Sequence, residues 1–265
     1  MTTAEIRQRP VGELLRQWRE HRRLSQLELS NQAEVSTRHL SFLETGRSTP
    51  SRDMVLHLAD RLDVPLRERN TLLVAAGYAP VYTRTALDSP ELAEIRTAIR
   101  QILTGHEPYP AVVVDRYWNL LDANASASFL TAGAAEHLLG PSTNVLRLAL
   151  HPDGMAPQIV NLGEWRAHLL GQLRRQLDAV ADPELVELYW ELKSYPCDDE
   201  EPDVELLPGR SHLVVPLRIR RRDVELSFFS TIATFGTPLD VTVAELVIES
   251  FFPADEVTRA FMTSL

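Results

Sequence analysis

Apolar residues recur at helical spacing through the first eighty residues of the chain. Val11, Leu14, Leu15 and Trp18 lie three or four positions apart, so a first helix has one apolar face. The same spacing continues to about residue 76 and predicts five helices in all. The apolar positions are Leu29, Ala33, Val35, Leu40 and Leu43 for the second and third helices and Met54, Val55, Leu58, Ala59 and Leu62 for the fourth, with Pro65 as the first residue of the fifth.

Serine residues mark the starts of the second and third helices. Ser25 and Glu28 have the spacing of a capping box, in which each side chain accepts from the backbone N–H of the other residue. Ser36 can cap the next helix by accepting from the free N–H groups of its first turn. Two short helices around a tight turn form a helix-turn-helix. The residues predicted on its outer surface are Thr37, Arg38, Ser41 and Phe42.

The pattern changes after the fifth helix. Residues 81–90 lack a sustained apolar period, follow Pro80 and end in Pro90, so we predict a linker between a first domain at 1–80 and a second at 91–265. Apolar runs in the second domain predict strands, and longer periodic segments predict helices. The predicted fold class is therefore α + (α+β), a five-helix domain followed by an antiparallel sheet with helices over one face.

The second domain is predicted element by element. A helix over 89–103 precedes strands at 111–115 and 120–123, and Asn124 caps a helix over 125–130. The last part contains a short strand near Asp240 and a closing helix that begins near Thr242 and includes Leu246, Val247, Phe251 and Phe252. The remaining elements are helices over 164–180 and 183–193 and strands over 212–220 and 224–234.

Charge is divided unevenly between the two domains. The whole chain has a formal net charge of −10, but residues 1–80 hold 12 Arg against 10 Asp and Glu, which gives +2 there and −12 in the remainder. The mildly basic first domain is compatible with nucleic acid, because the local field at the phosphates matters more than the total charge. The acidic remainder mainly favours solubility.

Cysteine usage and hydropathy predict the compartment. Cys197 is the one cysteine in the sequence, so no intramolecular disulfide can form and a reducing cytoplasm is favoured. No apolar run reaches the ~20 residues that span a bilayer, and the first residues lack the apolar core of a secretion signal. We therefore predict a cytoplasmic protein without a membrane partner.

The helix-turn-helix segment resembles the lambda-repressor-like, or XRE, DNA-binding domain. The resemblance rests on Gln26, on Val35 with Ser36, on LETGR at 43–47 and on Pro50 with Ser51. It implies that Gln26, Arg47 and Ser48 contact DNA phosphates. It also implies that Thr37, Arg38 and Phe42 meet the bases, with Ser41 on the same surface. Phe42 replaces a polar residue often found there, so it either contacts a thymine methyl or packs against the protein.

Almost the whole chain resembles the MmyB-like transcription regulators. The further motifs are LRERN at 66–70, AAGY at 75–78, LALHPDG at 148–154, EWR at 164–166, SFFST at 227–231 and TFGTPLD at 234–240. The strand, turn, strand and DAN order at 111–124 also resembles the opening of a PAS domain. The family resemblance implies a PAS-like second domain that holds a fatty-acyl type of ligand.

Large aromatic residues of the second domain are candidates for a pocket wall, although most are expected in the core. We select Phe129, Trp165 and Phe228 from this set as ligand-binding candidates. His151 stands before Pro152, Asp153 and Gly154, which form a turn, and Arg147 lies one helical turn before it. Arg147 and His151 could together hold a carboxylate beside Leu150. Alternatively, Arg147 pairs with an acid and His151 makes a structural hydrogen bond to its turn.

The sequence contains no motif for catalysis, for a cofactor or for a metal site. The histidines show none of the usual metal-ligand spacings, and no phosphate-binding loop or nucleophile elbow is present. We interpret the chain as a DNA-binding regulator, a homodimer on a palindromic operator, whose DNA affinity responds to a hydrophobic, fatty-acid-like effector. There are two alternatives. In the first, the second domain is a protein-interaction or dimerisation module without a ligand. In the second, the chain is an enzyme or an antitoxin.

Overall fold

The structure, a computed structural model, describes residues 9–180, 182–199 and 214–265. These residues pack as two units. The first is helical and consists of residues 9–85 with the separate segment 237–244. The second contains a sheet and consists of the described residues of 86–236 and 245–265. Segment 237–244 was predicted as part of the second domain, but it belongs to the helical unit.

Helices α1 to α5 of the first unit follow the predicted pattern. The Ser25, Ser36 and Ser51 hydroxyls each accept from the backbone N–H three positions later. The predicted capping box is confirmed, because Glu28 accepts from the Ser25 N–H at 2.7 Å. Pro65 precedes the fifth helix rather than forming its first residue. The bounds are α1 (Val11–His21), α2 (Gln26–Gln32), α3 (Thr37–Glu44), α4 (Arg52–Arg61) and α5 (Leu66–Ala75).

A leucine-rich core holds these helices together. Helix α1 approaches α3 closely at Gly12, where an added Cβ would lie 2.3 Å from the carbonyl oxygen of Leu43. Only a glycine permits that approach without displacing one of the helices. The fully buried core side chains include Leu15, Leu29, Leu40, Leu43, Leu58, Leu62, Leu72 and Leu73.

The second unit is built on an antiparallel sheet of five strands. The strand order is β2-β1-β5-β4-β3, so the last strand in the sequence lies at the centre. Val112 of β1 is paired with Ala123 of β2 on one side and with Glu249 of β5 on the other. The bounds are β1 (Ala111–Val114), β2 (Leu120–Ala123), β3 (Leu217–Arg221), β4 (Val224–Ala233) and β5 (Val247–Pro253).

The prediction of a closing helix over Leu246, Val247, Phe251 and Phe252 is wrong, because residues 247–253 form the central strand β5. A central strand is covered on both faces, so it is apolar along most of its length instead of alternating with polar residues. The apolar residues at 247, 251 and 252 therefore also fit the spacing of a helix face. The chain instead closes with a helix that Asp255 caps. The short strand predicted near Asp240 is also wrong, since that residue makes only an isolated bridge with Thr83.

Helices cover both faces of the sheet, which corrects the prediction that they cover one. Ile99 and Leu103 of α6 pack against Ala111, Val113 and Ile248 on one face. The larger core lies on the opposite face and includes side chains of α7 to α10 and α12. The bounds are α6 (Ala93–Gly105), α7 (Ser128–Thr131), α8 (Val145–Leu150), α9 (Leu162–Ala179), α10 (Pro183–Ser194), α11 (Val241–Ala244) and α12 (Glu256–Thr263), of which α11 belongs to the helical unit.

Two further predictions need adjustment. Asn124 accepts from the N–H of Ala127 as a cap should, but a 3-10 turn separates it from α7. The strand predicted over 212–220 is observed from Leu217, and residues 212 and 213 lie outside the described part of the chain. Among the described residues, no helix is both long enough and apolar enough to cross a bilayer.

Asp240 fixes segment 237–244 within the helical unit. One carboxylate oxygen accepts from the hydroxyls of Thr83 and Thr85 at 2.8 and 2.7 Å, and the other accepts from the Thr242 N–H at 2.8 Å. Burial disfavours the charged carboxylate, but the hydrogen bonds from Thr85 and Thr83 outweigh it and hold the pKa of Asp240 below its ordinary value. Helix α11, which follows directly, packs against α5.

Candidate functional site

The first turn of α3 presents polar and cationic side chains at the surface. Arg38 is exposed, and its guanidinium carbon lies 5.3 Å from the centroid of the Phe42 ring. The guanidinium of Arg47 lies 5.8 Å from the same centroid. Phe42 therefore supports two arginines, which is a cation–π arrangement. The Thr37 hydroxyl is 2.8 Å from that of Ser30, which links the start of α3 to α2.

The turn after α3 folds back onto that helix. The backbone N–H groups of Arg47 and Ser48 donate to the carbonyl oxygen of Phe42 at 2.9 and 3.2 Å. Gly46 has a φ of 70°, a left-handed conformation that glycine adopts at little cost. The structure thus brings Arg47 and Ser48 to the helix that carries Thr37, Arg38, Ser41 and Phe42. Gln26 is the first residue of α2.

A buried ion pair lies behind Gln26. Arg19 of α1 donates to both Glu44 oxygens, at 2.6 and 2.9 Å, and also to the carbonyl oxygen of Leu24. The amide of Gln26 donates to Glu44 at 2.9 Å, so the carboxylate links α1, α2 and α3. The arrangement orients the Gln26 side chain.

This network was not predicted from the sequence. The apolar face predicted for the first helix consists of Val11, Leu14, Leu15 and Trp18 and leaves out Arg19, yet the Arg19 side chain is only 9% exposed. The buried positions of α1 are Gly12, Leu15 and Arg19, which share one helical stripe. An arginine on the core stripe, with an acid at the end of a neighbouring helix, was the available signal.

An apolar cavity of about 350 Å³ lies in the second unit, between the sheet and helices α7 to α9. Strands β1, β2 and β5 contribute one wall through Val112, Ala123 and Phe251. Its volume is within the range of small-molecule sites. The lining is Val112, Leu120, Ala123, Asn124, Ala125, Ala127, Ser128, Leu130, Thr131, Val145, Leu146, Leu148, Ala149, Met155, Trp165, Leu169, Leu217, Glu249 and Phe251.

Of the six ligand-binding candidates from the sequence, Trp165 lines this cavity. Phe129, Leu150 and Phe228 belong to the surrounding core, where the Phe129 and Phe228 ring centroids are 6.2 Å apart. Phe228 is fully buried. These three side chains pack in the core around the cavity, and none of them is among the described residues that line it.

Arg147 and His151 already have partners. Arg147 donates to both oxygens of Glu191 at 2.8 and 2.7 Å, and this contact holds the pKa of Glu191 below its usual range. Tyr195 also donates to Glu191. The Nδ1 atom of His151 accepts from the backbone N–H of Asp153 at 3.0 Å. This geometry matches the alternative interpretation, in which Arg147 pairs with an acid and His151 stabilises its turn.

One group with metal-ligand character occurs in the described part of the chain. Ligand atoms of His137, His151 and Asp153 lie within 4.8 Å of one another, although linear spacing predicts no such site. The fold brings them together from two loops, since the Ala135 N–H donates to the carbonyl oxygen of Asp153. His137 and Asp153 are exposed.

Comparisons with known proteins find a family model that matches residues of each unit. Residues 95–265 match the model of the MmyB-like transcription regulator ligand binding domain, and residues 10–72 match the model of a helix-turn-helix domain. No curated protein matches the chain. A solved structure described as an RNA-binding light-oxygen-voltage receptor is 16% identical over 99% of this chain, which spans 62% of that one. Its TM-score of 0.27 is too low to assign a shared fold.

Proposed function

The chain belongs to the MmyB-like transcription regulators, and from this membership we propose that a hydrophobic small molecule in the cavity changes its affinity for a DNA operator. A helix-turn-helix domain followed by a ligand-binding domain is the organisation of a DNA-binding transcription regulator. The observation that carries the DNA-binding part is the Arg38, Phe42 and Arg47 cluster at the exposed start and end of α3. We further propose that the protein acts in the cytoplasm.

In this proposal α3 enters the major groove with its first turn leading. Arg38 pairs with the edge of a guanine, and Phe42 holds that guanidinium in place through its ring. Arg47 and Ser48 contact phosphates from the turn that follows α3, while Gln26 contacts them from the start of α2. Thr37 and Ser41 complete the outer surface.

We also propose that two copies bind a palindrome. One α3 helix reads only a few base pairs, and each good base contact contributes about 1–3 kcal/mol. A single copy would discriminate poorly among the many competing sites of a genome. A homodimer doubles the number of contacts that the operator must satisfy.

Replacing Arg38 with alanine should weaken binding to an operator obtained by selection by about 1–3 kcal/mol and leave binding to random DNA nearly unchanged. The Arg47→Ala variant should weaken both and reduce the slope of log affinity against log salt by about one ion. Fluorescence anisotropy with labelled duplexes measures both effects. Arg61→Ala, an exposed arginine at the end of α4, serves as the control. Equal losses for Arg38→Ala on both DNAs would instead assign Arg38 to a phosphate.

The ligand part of the proposal is supported by the chemistry of the cavity wall. Most of its lining is apolar, and it lies within the residues that match a ligand-binding domain. A molecule with a long apolar chain fits such a wall, and fatty acids are the class that the family resemblance implies. Extraction of the purified protein followed by mass spectrometry tests this directly. An empty extract together with no thermal shift on adding alkyl compounds would favour the protein-interaction alternative.

Segment 237–244 offers a covalent route from the cavity to the helical unit. It joins β4 to β5, and β5 contributes Glu249 and Phe251 to the cavity wall. Its own contacts, through Asp240 and α11, are with the linker threonines and α5. We propose that a ligand that shifts β5 also shifts this segment and thereby changes the conformation of the helical unit.

Asp240→Ala is expected to reduce this coupling. The variant removes the acceptors for Thr83 and Thr85, so ligand should still bind but should change DNA affinity by much less than the 5–150-fold typical of coupled sites, ~1–3 kcal/mol. DNA affinity with and without a bound alkyl compound measures the effect. Asp88→Ala, an exposed linker acid, is the matched control. Unchanged coupling in Asp240→Ala would remove the segment from the route.

A further inference from the structure

Two histidines and an aspartate converge at the turn that follows α8. Ligand atoms of His137, His151 and Asp153 all lie within 4.8 Å of one another. The ring centroids of His137 and His151 are 5.5 Å apart, and the Nδ1 atom of His151 is 3.9 Å from a carboxylate oxygen of Asp153. Two imidazoles and one carboxylate are a ligand set that zinc and similar divalent transition metals bind.

Two loops bring these side chains together, and the backbone fixes both loops. The Ala135 N–H donates to the carbonyl oxygen of Asp153 at 2.8 Å, which ties the loop of His137 to the turn of Asp153. That turn is tight at Gly154, where an added Cβ would lie 2.2 Å from the carbonyl oxygen of Leu148. The backbone positions of the three ligands are therefore set by the fold itself.

The charges around the cluster favour a cation over an anion. Among the described residues, the Asp153 carboxylate is within ion-pair distance of His151 alone. Arg147, one helical turn before His151, is already paired with Glu191. An incoming carboxylate would meet the negative charge of Asp153, whereas a divalent cation is attracted by it. This sign of charge separates the cluster from the carboxylate anchor that the sequence suggested.

His151 can give the lone pair of its Nδ1 atom to a metal ion. That atom accepts from the Asp153 N–H at 3.0 Å, so the neutral ring carries its proton on Nε2. The hydrogen bond is at the surface, where water can replace Nδ1 as the partner of the N–H group. Ligand atoms of a tetrahedral zinc site lie about 3.4 Å apart. Since His137 and Asp153 are exposed, rotation of their side chains closes the remaining distance.

We propose that His137, His151 and Asp153 bind a divalent transition metal of the zinc class, with a fourth coordination position open to water. Magnesium and calcium prefer sets of oxygen ligands and should not compete. The ion joins the loop after α7 to the turn after α8, so it stabilises this side of the second unit. None of the three residues is among the described lining of the apolar cavity, and the proposal does not depend on the ligand of that cavity.

The test titrates the untagged full-length protein with zinc chloride and, separately, with magnesium chloride, by isothermal titration calorimetry at pH 7.5. We expect one zinc ion per chain at micromolar affinity and no magnesium binding at the same concentrations. His137→Ala and Asp153→Asn each remove one ligand, so each should weaken zinc binding at least about tenfold. His21→Ala, which removes an exposed histidine of α1, is the control and should leave the affinity unchanged.

Thermal unfolding gives a second measurement. Zinc at a hundredfold excess over its Kd should raise the Tm of the second unit by about 5 °C in the natural protein. The shift should be much smaller in His137→Ala and Asp153→Asn. Both substitutions change exposed side chains, and Asp153→Asn keeps the backbone N–H that donates to His151, so both variants should fold. Circular dichroism without added metal checks this.

The other outcomes contradict the proposal. If both variants bind zinc as tightly as the natural protein, the ion lies elsewhere and the three residues are not its ligands. Failure of the natural protein to bind zinc would also overturn the site. Magnesium binding as tight as zinc binding would overturn the metal class.

Discussion

Replacing Glu44 with alanine is expected to lower the free energy of unfolding of the helical unit by about 3–5 kcal/mol. The substitution leaves the Arg19 guanidinium buried without its carboxylate, and breaking one side of a buried pair has a cost of this size. Gln26 also loses its acceptor. Since domains are only marginally stable, a loss of this size is a large fraction of the free energy of unfolding of the unit. Urea denaturation of the full-length protein, followed by circular dichroism, measures the change.

The control is a second ion pair on the same helix. Arg16 of α1 binds Glu20 at 2.7 Å, but both side chains are at least half exposed. Solvent screens such a pair, so Arg16→Ala should change stability little. The double variant Arg19→Met with Glu44→Leu should recover much of the loss, because apolar residues of similar volume often replace a buried pair well. A loss in Glu44→Ala no larger than that in Arg16→Ala would mean that the buried pair contributes little.

The helical unit could be predicted because its signals are local. Ser25, Glu28 and Ser36 act within one turn of their helices, and the apolar period repeats within each helix. The exposed start of α3 follows from the same signals. The Arg19 pair did not follow, because residues 19 and 44 are brought together only by the packing of α1 against α3. Periodicity shows which face is apolar, but it does not show which polar group is buried with it.

The second unit depends more on contacts between distant residues. Strand β5 pairs with β1, about 140 positions earlier in the sequence, and that pairing decides that residues 247–253 are extended rather than helical. The loop before it could not be assigned either, because Asp240 finds its partners at Thr83 and Thr85. The cavity wall combines side chains of several elements. Trp165 could be selected as a cavity residue because it is a large aromatic. Glu249 could not, because it lies in a stretch that we interpreted as a helix.

Lengthening an alkyl ligand by four methylenes is expected to raise its affinity about 200-fold, until the cavity of about 350 Å³ is full. Each buried CH₂ contributes about 0.8 kcal/mol when it leaves water for an apolar wall. Affinity should then level off, because a longer chain must leave part of itself in water or force the core apart. Calorimetry with n-alkanols and n-alkanoates of six to fourteen carbons, numbers chosen to bracket the cavity, measures the slope and the plateau.

Ala149→Phe should move that plateau to shorter chains. Ala149 lines the cavity from α8, so a phenyl ring there occupies space that the end of the ligand would fill. Leu150→Met is the matched control, since the neighbouring Leu150 is buried outside the described lining and methionine has a similar volume. The slope per methylene should stay the same in both variants, because it reflects the wall rather than the size of the cavity. An equal plateau in all three proteins, or affinity independent of chain length, would mean that alkyl chains bind elsewhere.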